Sequence, residues 1–246
     1  MANVATARLA VLRWVKDARS VDLYYAGIAI VSVAAFAILT VLVVTGRTAV
    51  IDIHLIHALR ARSSAPLTAV LLGVTFTSGR LGIFVAIAFT FLLYRRYGSR
   101  TSAYYVVACL SAQLLNLVLK YGVHRARPHG ISPRLTAAGG PSYPSADVMM
   151  AVLVFGLGTL LLSRTLASSG HRAAVRAVAV LFIIASAVAR VYLGAHWPTD
   201  VLGGILAGVA CSASWASGAL RERAGDRTIS PVTHGRHSIQ EQLDAP

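Results

Sequence analysis

Three separated patches of this chain carry side chains suited to handling a phosphate group. The first is Lys120-Tyr-Gly-Val-His-Arg-Ala-Arg127-Pro128, the second Pro144-Ser145-Ala146-Asp147, and the third Arg190-Val-Tyr-Leu-Gly-Ala-His196-Trp-Pro-Thr-Asp200. Arginine forks match phosphate oxygens in pairs, and lysine acts as a point charge. Ser145 opens an apolar run directly after a proline. Its hydroxyl and the free N–H groups of a helix start there make an anion cradle. His196 is followed four residues later by Asp200. A carboxylate bonded to one ring nitrogen fixes the tautomer and leaves the other nitrogen nucleophilic. Lys120, Arg127, Ser145 and Arg190 thus form a candidate anion site, with His196 and Asp200 as a candidate nucleophile and its orienting group. That set is equipped for phosphoryl transfer through histidine.

The patches meet only if the chain crosses a membrane. Hydrophobic residues make up 56% of the 246 positions and charged residues only 13%, and mean hydropathy is +0.67. A soluble domain carries about 25% charged residues. Apolar runs near 22–45, 67–94, 101–120, 145–163, 173–193 and 199–220 are long enough to span as helices. The expected fold is therefore all-α: a polytopic membrane protein with a bundle of six transmembrane helices. The second run is too long for one straight crossing, and Ser78-Gly79-Arg80 interrupts it, which predicts a kink or a short preceding helix. Residues 52–62 alternate apolar and polar side chains at helical spacing, which predicts a short helix lying in the interface. The expected organisation is an N-terminal segment over 1–21, a membrane domain over 22–220 and a polar, disordered tail over 221–246.

Basic residues set the expected orientation. With six spans, most of the 23 Lys and Arg residues fall on the side that holds both termini, which places that side in the cytoplasm. All three patches then face the extracytoplasmic side of a plasma membrane. The net charge of +14 is spread over short loops, so it points to anionic lipid headgroups and away from nucleic acid. Cys109 and Cys211 lie inside apolar runs, where a structural disulfide is not expected. Oligomeric state has no signature in the sequence.

Each feature also has a plainer explanation taken singly. Lys120, Arg127 and Arg190 read as snorkelling anchors, Ser145 as a helix cap, and Asp200 as a cap of the last helix. Their convergence at three span ends on one face argues for the site. In addition, the pattern Lys-x6-Arg-Pro, Pro-Ser, Arg-x5-His-x3-Asp resembles the three-part signature of the type 2 phosphatidic acid phosphatase family, shared with the vanadium haloperoxidases. Gly122, Arg125, Tyr192-Leu193-Gly194 and Val201-Leu202-Gly203 are similar to that family as well. The resemblance covers roughly residues 50 to 210. It implies a six-helix lipid phosphatase that uses no metal or other cofactor. Lys120, Arg127, Ser145 and Arg190 would hold the phosphate, His196 would attack phosphorus, and Asp200 would orient it. The partner implied is a phosphorylated lipid.

One position departs from that pattern. The family's second motif ends in a histidine expected to protonate the leaving group, and here Asp147 stands in its place. A positioned general acid is worth about 10²–10⁴ in rate. Cations nearby favour an ionised carboxylate, which donates no proton. Three routes follow. The substrate is a diphosphate, such as a polyprenyl diphosphate, whose leaving phosphate needs little protonation. Alternatively, His124 or His129 in the first loop supplies the proton. In the third route Asp147 pairs with an arginine or contacts the substrate, and the site transfers phosphate to another acceptor or only binds or transports a phospholipid.

Overall fold

The computed structural model describes residues 2–129 and 139–216, with the side chains of its first helix given from residue 20 onward. Every regular element among them is a helix. In chain order these are α1 (Ala2–Val44), α2 (Ala49–Arg60), α3 (Ala65–Ser78), α4 (Gly82–Val123), α5 (Ala146–Ser163), α6 (Ser169–Tyr192) and α7 (Pro198–Ala216). Five of them, counting Ser20–Val44 of α1, are long and apolar enough to cross a membrane. The chain is a polytopic membrane protein.

Local chemistry explains the element boundaries. α3 starts where Ser64 accepts a bond from Leu67 N–H and Pro66 occupies the first turn, an arrangement suited to a helix start. Gly79 ends it. The chain then turns through residues 79–81 into α4, so the interruption predicted at Ser78-Gly79-Arg80 is real. α2 covers most of the helix predicted at 52–62 and begins three residues earlier.

Two expectations differ from the structure. The break predicted between 94 and 101 is not a loop. α4 runs for 42 residues, and within it Gly98 alone leaves helical geometry, at φ 82° and ψ −177°. Only glycine takes that conformation cheaply, so one residue serves as the connection. Residues 2–21, read as a segment of their own, continue as helix into the first span. Residues 217–220 of the last predicted span and the predicted tail lie outside the described residues.

The core forms where α4, α5 and α7 meet. Leu93, Tyr105, Ala108, Ala112, Met149, Leu153, Leu157 and Ala207 bury there. By contrast, Ile30, Val31, Ile38, Val41 and Val44 of α1 and Leu110, Leu114 and Val118 of α4 are exposed, as faces turned to lipid would be. α3 packs against α6, and the Thr68 and Tyr192 hydroxyls bond at 2.8 Å. Arg60 of α2 donates to Tyr192 O at 3.2 Å and lies over its ring. α2 and α3 are thereby fixed to the end of α6 that leads into the third patch.

Glycines let α7 approach α5 closely. A Cβ at Gly204 would stand 2.6 Å from Ser145 O, and one at Gly208 would stand 3.0 Å from Met149 O. Both obstacles are backbone. Gly204→Ala should therefore cost about 1–3 kcal/mol through overpacking and lower the melting temperature. Gly73→Ala in α3, where no atom lies within 4 Å of the new Cβ, should be neutral or gain up to about 1 kcal/mol. Thermal unfolding of the two purified variants in one detergent checks the contrast.

Candidate active site

The C-terminal end of α4 and the loop after it, the start of α5, the end of α6 and the start of α7 come together at one end of the bundle. Arg127 is the hub. Its Nη1 donates to Ala195 O at 2.7 Å and stands 3.2 Å from His196 Nε2. Its Nη2 and Nε donate to Gly139 O at 2.9 Å and Gly140 O at 3.0 Å. Lys120 Nζ donates to Pro141 O at 2.8 Å. Two cations separated in sequence thus clasp the segment that carries the second patch.

The hydrogen bond between Arg127 and His196 settles a chemical question. A guanidinium only donates, so Nε2 accepts with its lone pair and the ring proton belongs on Nδ1. Nδ1 faces Asp200 Oδ2 at 3.5 Å, longer than a good hydrogen bond, and has no closer partner. Asp200 is itself fully buried and held. Its Oδ2 accepts from Trp197 N–H at 2.9 Å, which caps α7, and its Oδ1 accepts from Arg125 at 2.6 Å. The capping role read from the sequence is real, and it coexists with the approach to His196.

Ser145 occupies the cap position of α5, but its side chain caps nothing. Its Oγ is buried with no partner, while its N–H is fixed by Asp200 O at 3.0 Å. Arg190 is buried at the end of α6, and its Nε also lacks a partner. Arg127 and Arg190 are 8% and 7% exposed, so neither snorkels. Buried polar groups without partners are uncommon. Both of these can donate, and an oxyanion is a group that suits such donors.

Asp147 answers with an ion pair. Its Oδ2 lies 3.0 Å from Arg190 Nη1, as one sequence alternative anticipated. It also lines a mainly apolar cavity of about 460 Å³ between α4 and α5, with Gly79, Gly82, Ile83, Val106, Leu110 and Met150 among the walls. His124 ends α4 in a left-handed conformation at φ 50°. Both it and His129 are exposed.

Two residues were passed over as site residues in the sequence. Asp52 of α2 is fully buried. Its Oδ2 accepts from Arg125 Nη2 at 2.7 Å and from the Thr199 hydroxyl at 2.7 Å. Its Oδ1 accepts from Thr199 N–H at 2.9 Å. Arg125 bridges it to Asp200 and stacks on Trp197. In the sequence Arg125 is a flanking residue of the first patch, and the one hint for Asp52 is an acid in a mostly apolar stretch.

A family model for the PAP2 superfamily matches residues 101–222. The chain belongs to the PAP2 superfamily. Phosphatidylglycerophosphatase B of Bacillus subtilis is 37% identical over 98 residues, which is 39% of this chain and 47% of that protein. The chain thus matches about half the length of this curated relative. Its fold is that of the crystal structure of a transmembrane PAP2-type phosphatidylglycerolphosphate phosphatase from Bacillus subtilis. That match has a TM-score of 0.69 and 23% identity, and it covers 82% of this chain and 96% of that one. LpxE from Aquifex aeolicus is a more distant likeness, with a TM-score of 0.53 and 21% identity over 66% of this chain and 92% of that one.

Burial lowers the pKa of His196 below the ordinary histidine value. The cations Arg127 and Lys120 lower it further, and Asp200 opposes them. The imidazole is neutral above its pKa and loses its lone pair to a proton as pH falls through it. The acidic limb of kcat/KM should therefore lie below about pH 6.5. Measuring it on two lipids whose phosphates titrate differently isolates the enzyme's own limb. A shared limb above about pH 7 would contradict this electrostatic reading.

Proposed function

We propose that this protein is an integral membrane lipid phosphatase that works through a phosphohistidine. What carries the reading is the geometry of His196, with a lone pair on Nε2 and a carboxylate behind Nδ1, supported by two unpartnered buried donors at the start of α5 and the end of α6, Ser145 Oγ and Arg190 Nε. In this mechanism Lys120, Arg127, Arg190 and Ser145 bind the phosphate oxygens and neutralise their charge. Nε2 attacks phosphorus in line, the N–P bond forms and the bond to the leaving oxygen breaks. Asp200 stabilises the imidazolium character that develops. Water then attacks the phosphohistidine, releasing inorganic phosphate and restoring neutral His196.

The leaving group decides the substrate. Asp147 is engaged by Arg190 as an acceptor, so nothing at that position resembles a free acid. A polyprenyl diphosphate fits this best, because its prenyl phosphate departs without taking a proton in the transition state. The apolar cavity beside Asp147 provides room for part of a lipid chain. The sequence similarity to phosphatidylglycerophosphatase B favours a second reading, a glycerophospholipid monoester. In that case a proton must come from elsewhere, and His124 and His129 are the sequence-suggested sources.

The same reading includes a topology. A helix of 42 residues at 1.5 Å per residue is about 63 Å long, roughly twice the hydrocarbon core. Gly98, with Arg95, Arg96 and Arg100 around it, divides it into two crossings, giving six in all. The termini are then cytoplasmic and the site faces outward, with α2 in the interface.

Phosphate release from a long-chain polyprenyl diphosphate, its monophosphate and phosphatidic acid, without added metal, tests the proposal. Release from the diphosphate, unchanged by chelator, is expected. His196→Ala should abolish it while lipid binding persists, and turnover surviving in that variant would remove His196 as nucleophile. Asp147→His should raise monoester turnover more than diphosphate turnover, by up to about 10²-fold. Equal change on both would end the leaving-group argument.

A further inference from the structure

Asp52 and Arg125 lie outside the set that touches phosphate, yet both are densely bonded to the machinery behind it. Asp52 has both carboxylate oxygens occupied by donors from two other stretches of chain. Thr199 N–H reaches Oδ1 at 2.9 Å, while the Thr199 hydroxyl and Arg125 Nη2 reach Oδ2, both at 2.7 Å. The other arm of Arg125 donates to Thr199 Oγ1 at 2.8 Å and to Asp200 Oδ1 at 2.6 Å. Both carboxylates are fully buried and the guanidinium is 15% exposed. The contacts of α2 with the rest of the fold otherwise rest on apolar packing around Ile56 and on Arg60. A short helix whose other side exposes Val50, Ile51 and Leu55 would gain nothing from a buried carboxylate without a role, because withdrawing that charge from water is costly.

We propose that Asp52 and Arg125 form a positioning relay. It fixes the place and charge balance of Asp200, and through it the orientation of His196, so that the seating of α2 governs turnover. The relay deepens the phosphatase reading and rests on it. Among the described residues, Asp200 is the carboxylate that acts directly on His196. Arg125 satisfies its Oδ1 and leaves Oδ2 to the Trp197 N–H and the ring. Asp52 in turn holds Arg125 and offsets its charge, so that Asp200 keeps its pull on the imidazole. The other charged groups that act on His196 are Lys120 from α4 and Arg127 from the following loop, and the Arg190–Asp147 pair joins α6 to α5. The bonds to Asp52 come from Arg125 and Thr199, not from these groups.

The relay makes an unusual prediction of sign. Arg125→Gln strips Asp200 and Asp52 of their shared countercharge, which favours protonated His196. Asp52→Asn leaves Arg125 to neutralise Asp200 alone, which disfavours it. The titration midpoint of His196 should therefore rise in the first variant and fall in the second. It can be followed by ¹⁵N NMR of histidine-labelled full-length protein in detergent, with the resonance assigned by its loss in His196→Ala. This readout does not require turnover. If the wild type releases no phosphate, the phosphatase reading fails while the relay is still judged. Where turnover is present, kcat should fall about ten- to hundredfold in both variants with KM within about threefold. Thr199→Val removes one hydroxyl and keeps the N–H bond to Asp52, so it should show a smaller effect. It also serves as the readout if either charge variant fails to fold: a normal midpoint and normal kcat in Thr199→Val, or midpoints that move together or not at all in the charge variants, would overturn the relay.

Discussion

Arg125 held between two fully buried carboxylates is the constraint on which the functional end of this molecule depends. One guanidinium joins Asp52 of α2 to Asp200 of α7, and it rests on the ring of Trp197. Charges withdrawn from water are tolerated only when every one is paired and hydrogen-bonded. Here that requirement forces three distant stretches into one place. α2 cannot leave without exposing Asp52, Arg125 cannot leave without stripping both acids of their countercharge, and the first turn of α7 is held by the same bonds. Trp197 also donates to Ala126 O at 2.8 Å, and Ser142 bonds back to residues 125 and 126. Residues 125, 126 and 142 are therefore held at several points.

A second constraint is proximity of backbones. The start of α5 lies against α7, where Ser145 N–H bonds Asp200 O, and Gly203 and Gly204 clear the space. A Cβ at Gly203 would meet the Tyr143 ring at 2.7 Å. Tyr143 in turn bonds Thr40 of α1 at 2.8 Å and stacks on Phe36. The first span is thereby attached to the segment that presents the anion cradle. Packing and electrostatics thus act on the same few residues. Small side chains bring the helices close, and closeness makes the charges strong by excluding water.

Against this rigid frame, the Arg190–Asp147 pair is the adaptable part. It is an ion pair of unequal exposure, with Arg190 buried and the Asp147 side chain 35% exposed. It sits where the anion site meets the apolar cavity. On the proposed reading, an anionic substrate would compete with Asp147 for the same guanidinium, and the unpartnered Nε of Arg190 would offer it a second donor. Asp147 is the position at which the chain differs from the pattern its other motifs follow.

The sequence by itself determined the kind of fold and singled out the candidate site residues. Apolar run lengths announce helices in a membrane because an unpaired backbone in hydrocarbon is too costly. The order Lys120, Arg127, Ser145, Arg190, His196, Asp200 announces an anion site because those side chains have few other reasons to recur at span ends. The break at 79–81 and the short helix α2 were legible for similar local reasons. Tertiary structure alone decided the rest. The connection at Gly98 shrank to one residue because a single positive φ redirects a helix, which no composition signal reveals. Ser145 lost its reading as a cap because its hydroxyl points where no backbone N–H waits. Asp52 meets Arg125 and Thr199 only because α2 packs beside the end of α6 and the start of α7. Pairing of that kind depends on where helices end in space, and an isolated acid in a line of letters does not carry that information.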